Sequence, residues 1–359
     1  MKNACIVLRN LRKHLYVSEL EDLFSVFSEG GFTLDKTVIL DEENEHEFSQ
    51  TFLECKNFFD NIILISSKEK SAWVRSRACE LAKCEPSSDN MAESGQKTYF
   101  FLKAGKSGEN VARQECIPFL NEKFSLKYAK TVIRAIGVPY DRLSGVLKTA
   151  TEKGQGKLIV NEKEEFSDLC LTVLYDDAAP KMLVDDVVRF IAEELNDYIY
   201  AVDDTPLNVR VLEILRLRGL KLSVAESFTG GGVAKSLIEV PGASKSLFEG
   251  VVAYDNGAKQ KRLGVSQFTL KRHGAVSDET AYEMAAGLLA GGDCDIALAT
   301  TGIAGPQSDN TNKPVGLCYI SVGTSESVYV YKYQFNGDRE QITKRAINQA
   351  LFLLYKQIK

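Results

Sequence analysis

The residues able to do chemistry crowd into one stretch of this chain, between positions 225 and 259. It begins Ala225-Glu226-Ser227-Phe228-Thr229-Gly230-Gly231-Gly232. It continues through Pro241-Gly242-Ala243-Ser244 and ends Tyr254-Asp255-Asn256-Gly257-Ala258-Lys259. Ser244 follows Gly242 at what reads as a helix start, where a nucleophilic hydroxyl would have backbone N–H groups beside it as an oxyanion hole. A serine needs a base, and no histidine lies near in sequence. Lys259 is the alternative. It falls in the first turn of a helix opened by Asn256, where the positive end of the helix dipole disfavours a second positive charge. Burial would lower its pKa further and give a usable neutral amine. The plainer readings are an N-cap serine and a solvated surface lysine. The three glycines let the backbone approach a ligand closely. The N–H groups of the helical turn after them favour an anion, typically a phosphate. Ser67 and Lys70 repeat the serine–lysine spacing, but the companion motifs of the β-lactamases are absent, so that pair is read as chance.

The surrounding pattern supplies elements to hold these groups. Residues 220–224 read as a strand and 233–238 as the start of a helix, with the glycines between them. Residues 251–254 read as a strand. Ser277 caps a helix whose first turn carries Asp278 and Glu279. Residues 296–301 read as a buried strand, 315–323 with 328–335 as a hairpin, and 339–356 as an amphipathic helix. This last domain opens at Asp203-Asp204-Thr205-Pro206, with Thr205 as N-cap and Pro206 at the first helical position. Upstream, strands over 4–8, 37–40 and 61–66 alternate with helices, including one over 17–27. That rhythm predicts a parallel sheet covered by helices. Residues 85–97 are polar and read as a loop. A strand over 98–102, a helix over 111–120 and a strand over 128–138 follow. Residues 141–203 then read as a small α+β unit, with strands over 157–161 and 169–175 and a helix over 181–195.

Composition narrows the classes. The 359 residues allow two or three domains, and the 44% hydrophobic and 26% charged fractions are those of an ordinary globular protein. The net charge of −5 argues against general nucleic-acid binding. No apolar run reaches membrane-spanning length, and no signal peptide is evident. Eight scattered cysteines without a C-x-x-C pair predict buried, reduced thiols in the cytoplasm. His14, His46 and His273 lack partners at ligand spacing, so neither a metal site nor a cofactor is expected.

The ordered blocks make the chain similar to a known family. Besides the stretch above they include His273-Gly274-Ala275-Val276-Ser277, Thr301-Gly302-Ile303-Ala304-Gly305-Pro306, Lys313-Pro314-Val315-Gly316 and Gly337-Asp338-Arg339. Residues 204–359 resemble the C-terminal domain of the CinA family, the nicotinamide mononucleotide amidohydrolases. Departures are Phe228 for a common Cys, Ala243 for a common Ser, and Gln307-Ser308-Asp309-Asn310 where an Asp-Gly-Gly loop is usual. The resemblance implies an α/β fold in which Ser244 attacks the carboxamide, Lys259 takes its proton and Tyr254 assists. It implies substrate contacts from Ser227, Thr229, Gly230, Gly231, Asn256, Thr301, Gly302 and Arg339, the last on the phosphate. The expected product is nicotinate mononucleotide, and the expected assembly a homodimer of a bacterial protein.

Residues 1–140 more faintly resemble a molybdopterin-binding-like, three-layer α/β/α domain with ADP-ribose pyrophosphatase activity, and 141–203 a KH-like module. The motifs differ. Leu8-Arg9-Asn10-Leu11, Ser66-Ser67-Lys68-Glu69-Lys70 and Lys103-Ala104-Gly105-Lys106-Ser107-Gly108 stand where that family shows its glycines and acids. The expectation is a retained scaffold without the pyrophosphatase. The middle module lacks a Gly-x-x-Gly loop, which argues against RNA binding. The alternatives to an amidohydrolase are a non-catalytic nucleotide-binding scaffold and a residual pyrophosphatase.

Overall fold

The computed structural model describes residues 1–10, 18–125, 128–176, 178–308 and 312–359. Leu11, His14, Val17, Asp309 and Asn310, which the sequence reading used, lie outside the described residues. The protein is α/β and divides into two compact units. One holds residues 1–130, 154–161 and 172–184; the other holds residues 131–153, 162–171 and 185–359.

The first sheet contains β1 (Asn3–Arg9), β2 (Lys36–Asp41), β3 (Asn61–Ser66), β4 (Pro86–Ser88), β5 (Met91–Ser94) and β6 (Lys97–Lys103), in the order β2-β1-β3-β6-β5-β4. Strands β2, β1, β3 and β6 run parallel, as the βαβ rhythm predicts. Alternation along β1 explains the three layers. Ala4, Ile6 and Leu8 pack toward Phe48, Phe52, Val74 and Ala78 of the helices Glu45–Phe58 and Ser71–Ala82. Cys5 and Val7 pack on the other face, against Leu23 and Phe27 of the helix Ser18–Glu29. Residues 85–97 are not simply a loop, because β4 and β5 form a short hairpin that extends the sheet antiparallel beyond β6.

The next sheet has β7 (Tyr128–Ile136), β8 (Leu158–Glu165), β9 (Asp168–Asp176) and β10 (Ile199–Ala201), in the order β10-β7-β9-β8. Within it Arg134 donates to Asp168 at 2.8 Å and to the Tyr200 hydroxyl at 2.8 Å, and Tyr200 donates to Asp168 at 3.0 Å. The three polar groups thereby satisfy one another.

The last sheet carries the chemistry-bearing stretch. It contains β11 (Leu222–Glu226), β12 (Leu247–Val252), β13 (Ile296–Gly302), β14 (Leu317–Gly323) and β15 (Val328–Gln334), in the order β12-β11-β13-β14-β15. Strands β12, β11 and β13 are parallel, whereas β14 and β15 return antiparallel as the expected hairpin. Leu222, Val224, Ile296 and Leu298 face the helices Leu207–Leu217 and Arg339–Ile358. Ala225, Ala297 and Ala299 face the helix Asp278–Leu289. Thr205 does not cap the first of these helices. Pro206 occupies the N-cap, and the Thr205 N–H is turned back onto Asp203 at 2.9 Å.

The small residues on the alanine face permit a close approach. A Cβ on Gly287 would stand 1.9 Å from the Leu263 carbonyl oxygen, a backbone atom that cannot swing aside. Gly287→Ala should therefore cost about 2 kcal/mol or more by overpacking. Urea unfolding of the variant checks this, and an unchanged midpoint would refute the close approach. Among the described residues no helix is long and apolar enough to cross a membrane, and no three His, Cys, Asp or Glu side chains gather as a metal set. No cysteine there is in a disulfide.

Candidate active site

Parallel strands present their following loops at one edge of a sheet, where α/β proteins bind ligands. Ser227 directly follows β11, Ala253 and Tyr254 follow β12, and Thr300 and Thr301 end β13. Lys259 reaches this edge from the helix Asn256–Leu263, capped by Asp255, whose side chain accepts from the Gly257 N–H at 2.7 Å.

Lys259 is 1% exposed. Its Nζ donates to Ser227 Oγ at 3.0 Å, to the Ala253 carbonyl at 2.8 Å and to the Tyr254 carbonyl at 3.1 Å. An ammonium has three donors, and all three are used. Burial lowers the lysine pKa from 10.5 to about 8, and the nearby Asp255 charge partly opposes that shift. The neutral amine has two N–H bonds and one lone pair. The two carbonyls can only accept, so they retain the two N–H bonds, and the lone pair is left facing the Ser227 hydroxyl. The cage therefore directs the base onto one oxygen.

Ser227 is itself buried and held. Its N–H donates to the Thr300 carbonyl at 3.0 Å, and its carbonyl accepts from Gly230 at 3.1 Å. Thr229 and Thr300 share a hydroxyl hydrogen bond of 2.7 Å. Gly230 and Gly231 have φ of 62° and 96°, which closes the turn and explains why glycine stands there. Among the described residues the N–H groups of Phe228 and Thr229 meet no protein acceptor. They follow the serine immediately and are the donors left to receive an oxyanion.

Ser244 is elsewhere. It is exposed, in the short turn Ala243–Lys245 that precedes β12. Leu222, which opens β11, donates to the Ser246 carbonyl at 2.8 Å; Ala253 donates to the Glu226 carbonyl at 2.8 Å at the far end of the same strand. The length of β11, about 15 Å at the usual rise, therefore separates Ser244 from Lys259 within one chain. The hydroxyl that Lys259 touches is that of Ser227.

A model of the CinA C-terminal domain matches residues 204–358. Those residues belong to the CinA family. A CinA-like protein of Kosmotoga olearia is 47% identical over 165 residues, covering 46% of this chain and 40% of the relative. Another, of Fusobacterium nucleatum, is 44% identical over 172 residues, covering 47% and 42%. A relative in Caldicellulosiruptor saccharolyticus, named as competence-damage inducible, is 41% identical over 248 residues, or 67% of this chain and 59% of that protein. The chain spans no more than about three-fifths of the length of these curated relatives. A solved competence/damage inducible protein of Agrobacterium tumefaciens is 36% identical and covers 43% of this chain and 94% of its own, with a TM-score of 0.42.

Within the CinA domain the remaining expected site residues divide. The Tyr254 ring is 63% exposed, and its hydroxyl faces Arg339 Nη2 at 3.4 Å, so only its backbone carbonyl joins the lysine cage. Arg339 also donates to the Gly305 carbonyl at 2.7 Å; among the described residues it forms no salt bridge. Asn256 is exposed at the start of its helix. Thr301 is fully buried, with its hydroxyl donated to the Ala275 carbonyl at 2.6 Å. A Cβ on Gly302 would stand 2.5 Å from that of Cys318 and 3.0 Å from the Phe228 ring. Thr301 and Gly302 are packing residues that back the site. The helix after the glycines is occupied too, because the Glu226 carboxylate accepts from Gly231, Val233 and Ala234 at 3.0, 3.1 and 2.8 Å. The expectation that these N–H groups hold a phosphate fails, since a side chain already uses them. Glu226 went unremarked in the sequence; its signal is an acid placed between a strand and a glycine turn.

Proposed function

We propose that the CinA domain is a serine–lysine amidohydrolase, with Ser227 as nucleophile and Lys259 as base, and that its substrate is nicotinamide mononucleotide. The observation that carries the reading is the three-acceptor cage around Lys259. The cage holds a fully buried amine whose third contact is the Ser227 hydroxyl at 3.0 Å, and a pKa lowered to about 8 leaves a neutral fraction able to take its proton. The substrate comes from the family resemblance and from Arg339, a guanidinium beside the Tyr254 hydroxyl that forms no salt bridge among the described residues and is suited to a phosphate.

In the reaction, neutral Lys259 takes the Ser227 proton as Oγ attacks the carboxamide carbon. The N–H groups of Phe228 and Thr229 receive the developing oxyanion. The lysine returns its proton to the leaving nitrogen, ammonia departs, and an ester on Ser227 remains. Water, deprotonated by the same amine, cleaves the ester to the carboxylate. The sum consumes one amide and one water, and yields a carboxylate and ammonium.

The test is ammonia release from nicotinamide mononucleotide by the full chain, compared with the riboside that lacks the phosphate. Turnover of the mononucleotide with a much lower KM is expected. Arg339→Met should raise that KM by about 10- to 100-fold, the worth of a hydrogen-bonded charge pair, and leave the riboside nearly unaffected. Absence of ammonia from the mononucleotide would overturn the substrate assignment.

A further inference from the structure

We infer that Glu226 is a positioning residue for Ser227, holding the oxyanion turn from behind; this rests on the reading of Ser227 as nucleophile. The carboxylate is 1% exposed and charged groups are seldom buried so completely without a task. Its main chain is fixed in β11, paired to Val252 of β12 and Thr300 of β13. Its side chain runs forward over the loop and binds the N–H groups of Gly231, within the glycine run, and of Val233 and Ala234 beyond it. The loop from Ser227 to Gly230 is thus closed into a ring, with the strand end at one side and the helix start at the other. Ser227, Phe228 and Thr229 sit on that ring. None of them touches the carboxylate, yet the direction of the two unpaired N–H groups depends on where the ring is held.

The two oxygens also divide the work in a way that a neutral amide cannot copy. Oε2 accepts from Gly231 and Val233, and Oε1 accepts from Ala234. Glutamine has the same shape, but one of its ends would present an NH2 to backbone donors. At least one N–H would lose its acceptor, and the ring would shift. Aspartate keeps the charge and all-acceptor character but falls one methylene short.

The test need not use the physiological substrate. A fluorophosphonate forms a bond between phosphorus and a serine oxygen as fluoride leaves and the serine proton passes to the base, and its transition state calls on the same oxyanion donors. Labelling of the full chain is followed by mass, with Ser227→Ala as the blank. Glu226→Gln should label Ser227 about 100-fold more slowly, the effect of losing an oxyanion donor. Glu226→Asp should recover part of that rate. The midpoint of the pH–rate curve should stay near that of the parent, because Lys259 is untouched. A folded Gln variant that labels at the parental rate would overturn the inference. Should it fail to fold, the Asp variant decides, and a parental rate there would overturn the inference equally. A parent that labels rapidly yet releases no ammonia from the mononucleotide refutes the substrate reading and leaves the role of Glu226 standing.

Discussion

Ser227→Ala should lower amide hydrolysis by about 10³-fold or more, while Ser244→Ala leaves it within about twofold. The magnitude follows from other serine hydrolases, where loss of the nucleophile leaves only the rate that binding and the oxyanion donors supply. The contrast follows from the sheet. Lys259 Nζ lies 3.0 Å from Ser227 Oγ. Ser244 lies before β12, at the opposite edge of the sheet from Lys259. A base must be within hydrogen-bond reach of the proton it takes, or one water away. The measurement is ammonia release by both variants at saturating substrate, with circular dichroism to confirm folding. The reverse result, with Ser244→Ala inactive and Ser227→Ala active, would overturn Ser227 as the nucleophile.

The distance between Ser244 and Lys259 has a physical cause in the sheet. The sequence pattern put the strand at 251–254 and made Ser244 the start of a helix. The strand runs Leu247–Val252, so a residue three positions before it lies at the inactive edge. In a parallel sheet the residues before a strand and after it lie at opposite ends, so Ser244 and Tyr254, on the two sides of β12, are held apart by the length of that strand despite their short separation in sequence. The elements themselves were legible, because the short apolar runs of β11 and β13 and the 3.6-residue pattern of the final helix are strong. Strands β4 and β5 were not legible. Pro86-Ser87-Ser88 is polar and exposed, and only pairing with neighbours makes it a strand. The chemistry of Lys259 was readable from its place in a first helical turn, but its partner required three-dimensional knowledge of which loops follow neighbouring strands. Thr301 and Gly302 show the opposite limit. Their motif is prominent in sequence, and the structure uses it to pack the wall behind Ser227.

Lys259→Met should remove activity by about 10²- to 10⁴-fold, the usual worth of a positioned base. Lys259→Arg should do no better, since a guanidinium stays charged and offers no lone pair. In the parent the active species is the neutral amine. With a pKa of about 8, roughly a tenth of the chains carry it at pH 7, by the titration of a single site. Activity should therefore climb nearly tenfold per pH unit below 7, reach half its maximum near pH 8 and level off above 9. The charge on Asp255 favours the ammonium form and so holds this midpoint up. Asp255→Asn keeps an equally good N-cap on the Gly257 N–H but removes the charge. Its activity curve should move to lower pH, with more turnover at pH 7, and a shift to higher pH would contradict the assignment. Stability carries the same signature with a defined sign. The folded chain binds the lysine proton less tightly than the unfolded chain, so between pH 8 and 10.5 the unfolded state holds more protons and stability rises with pH. The penalty, roughly 3 kcal/mol if the full difference is expressed, is present below pH 8. Subtracting the pH dependence of unfolding of Lys259→Met from that of the parent isolates it. A flat difference across that window would mean that the lysine is not titrating in the cage, and the amine could not then serve as the base for Ser227.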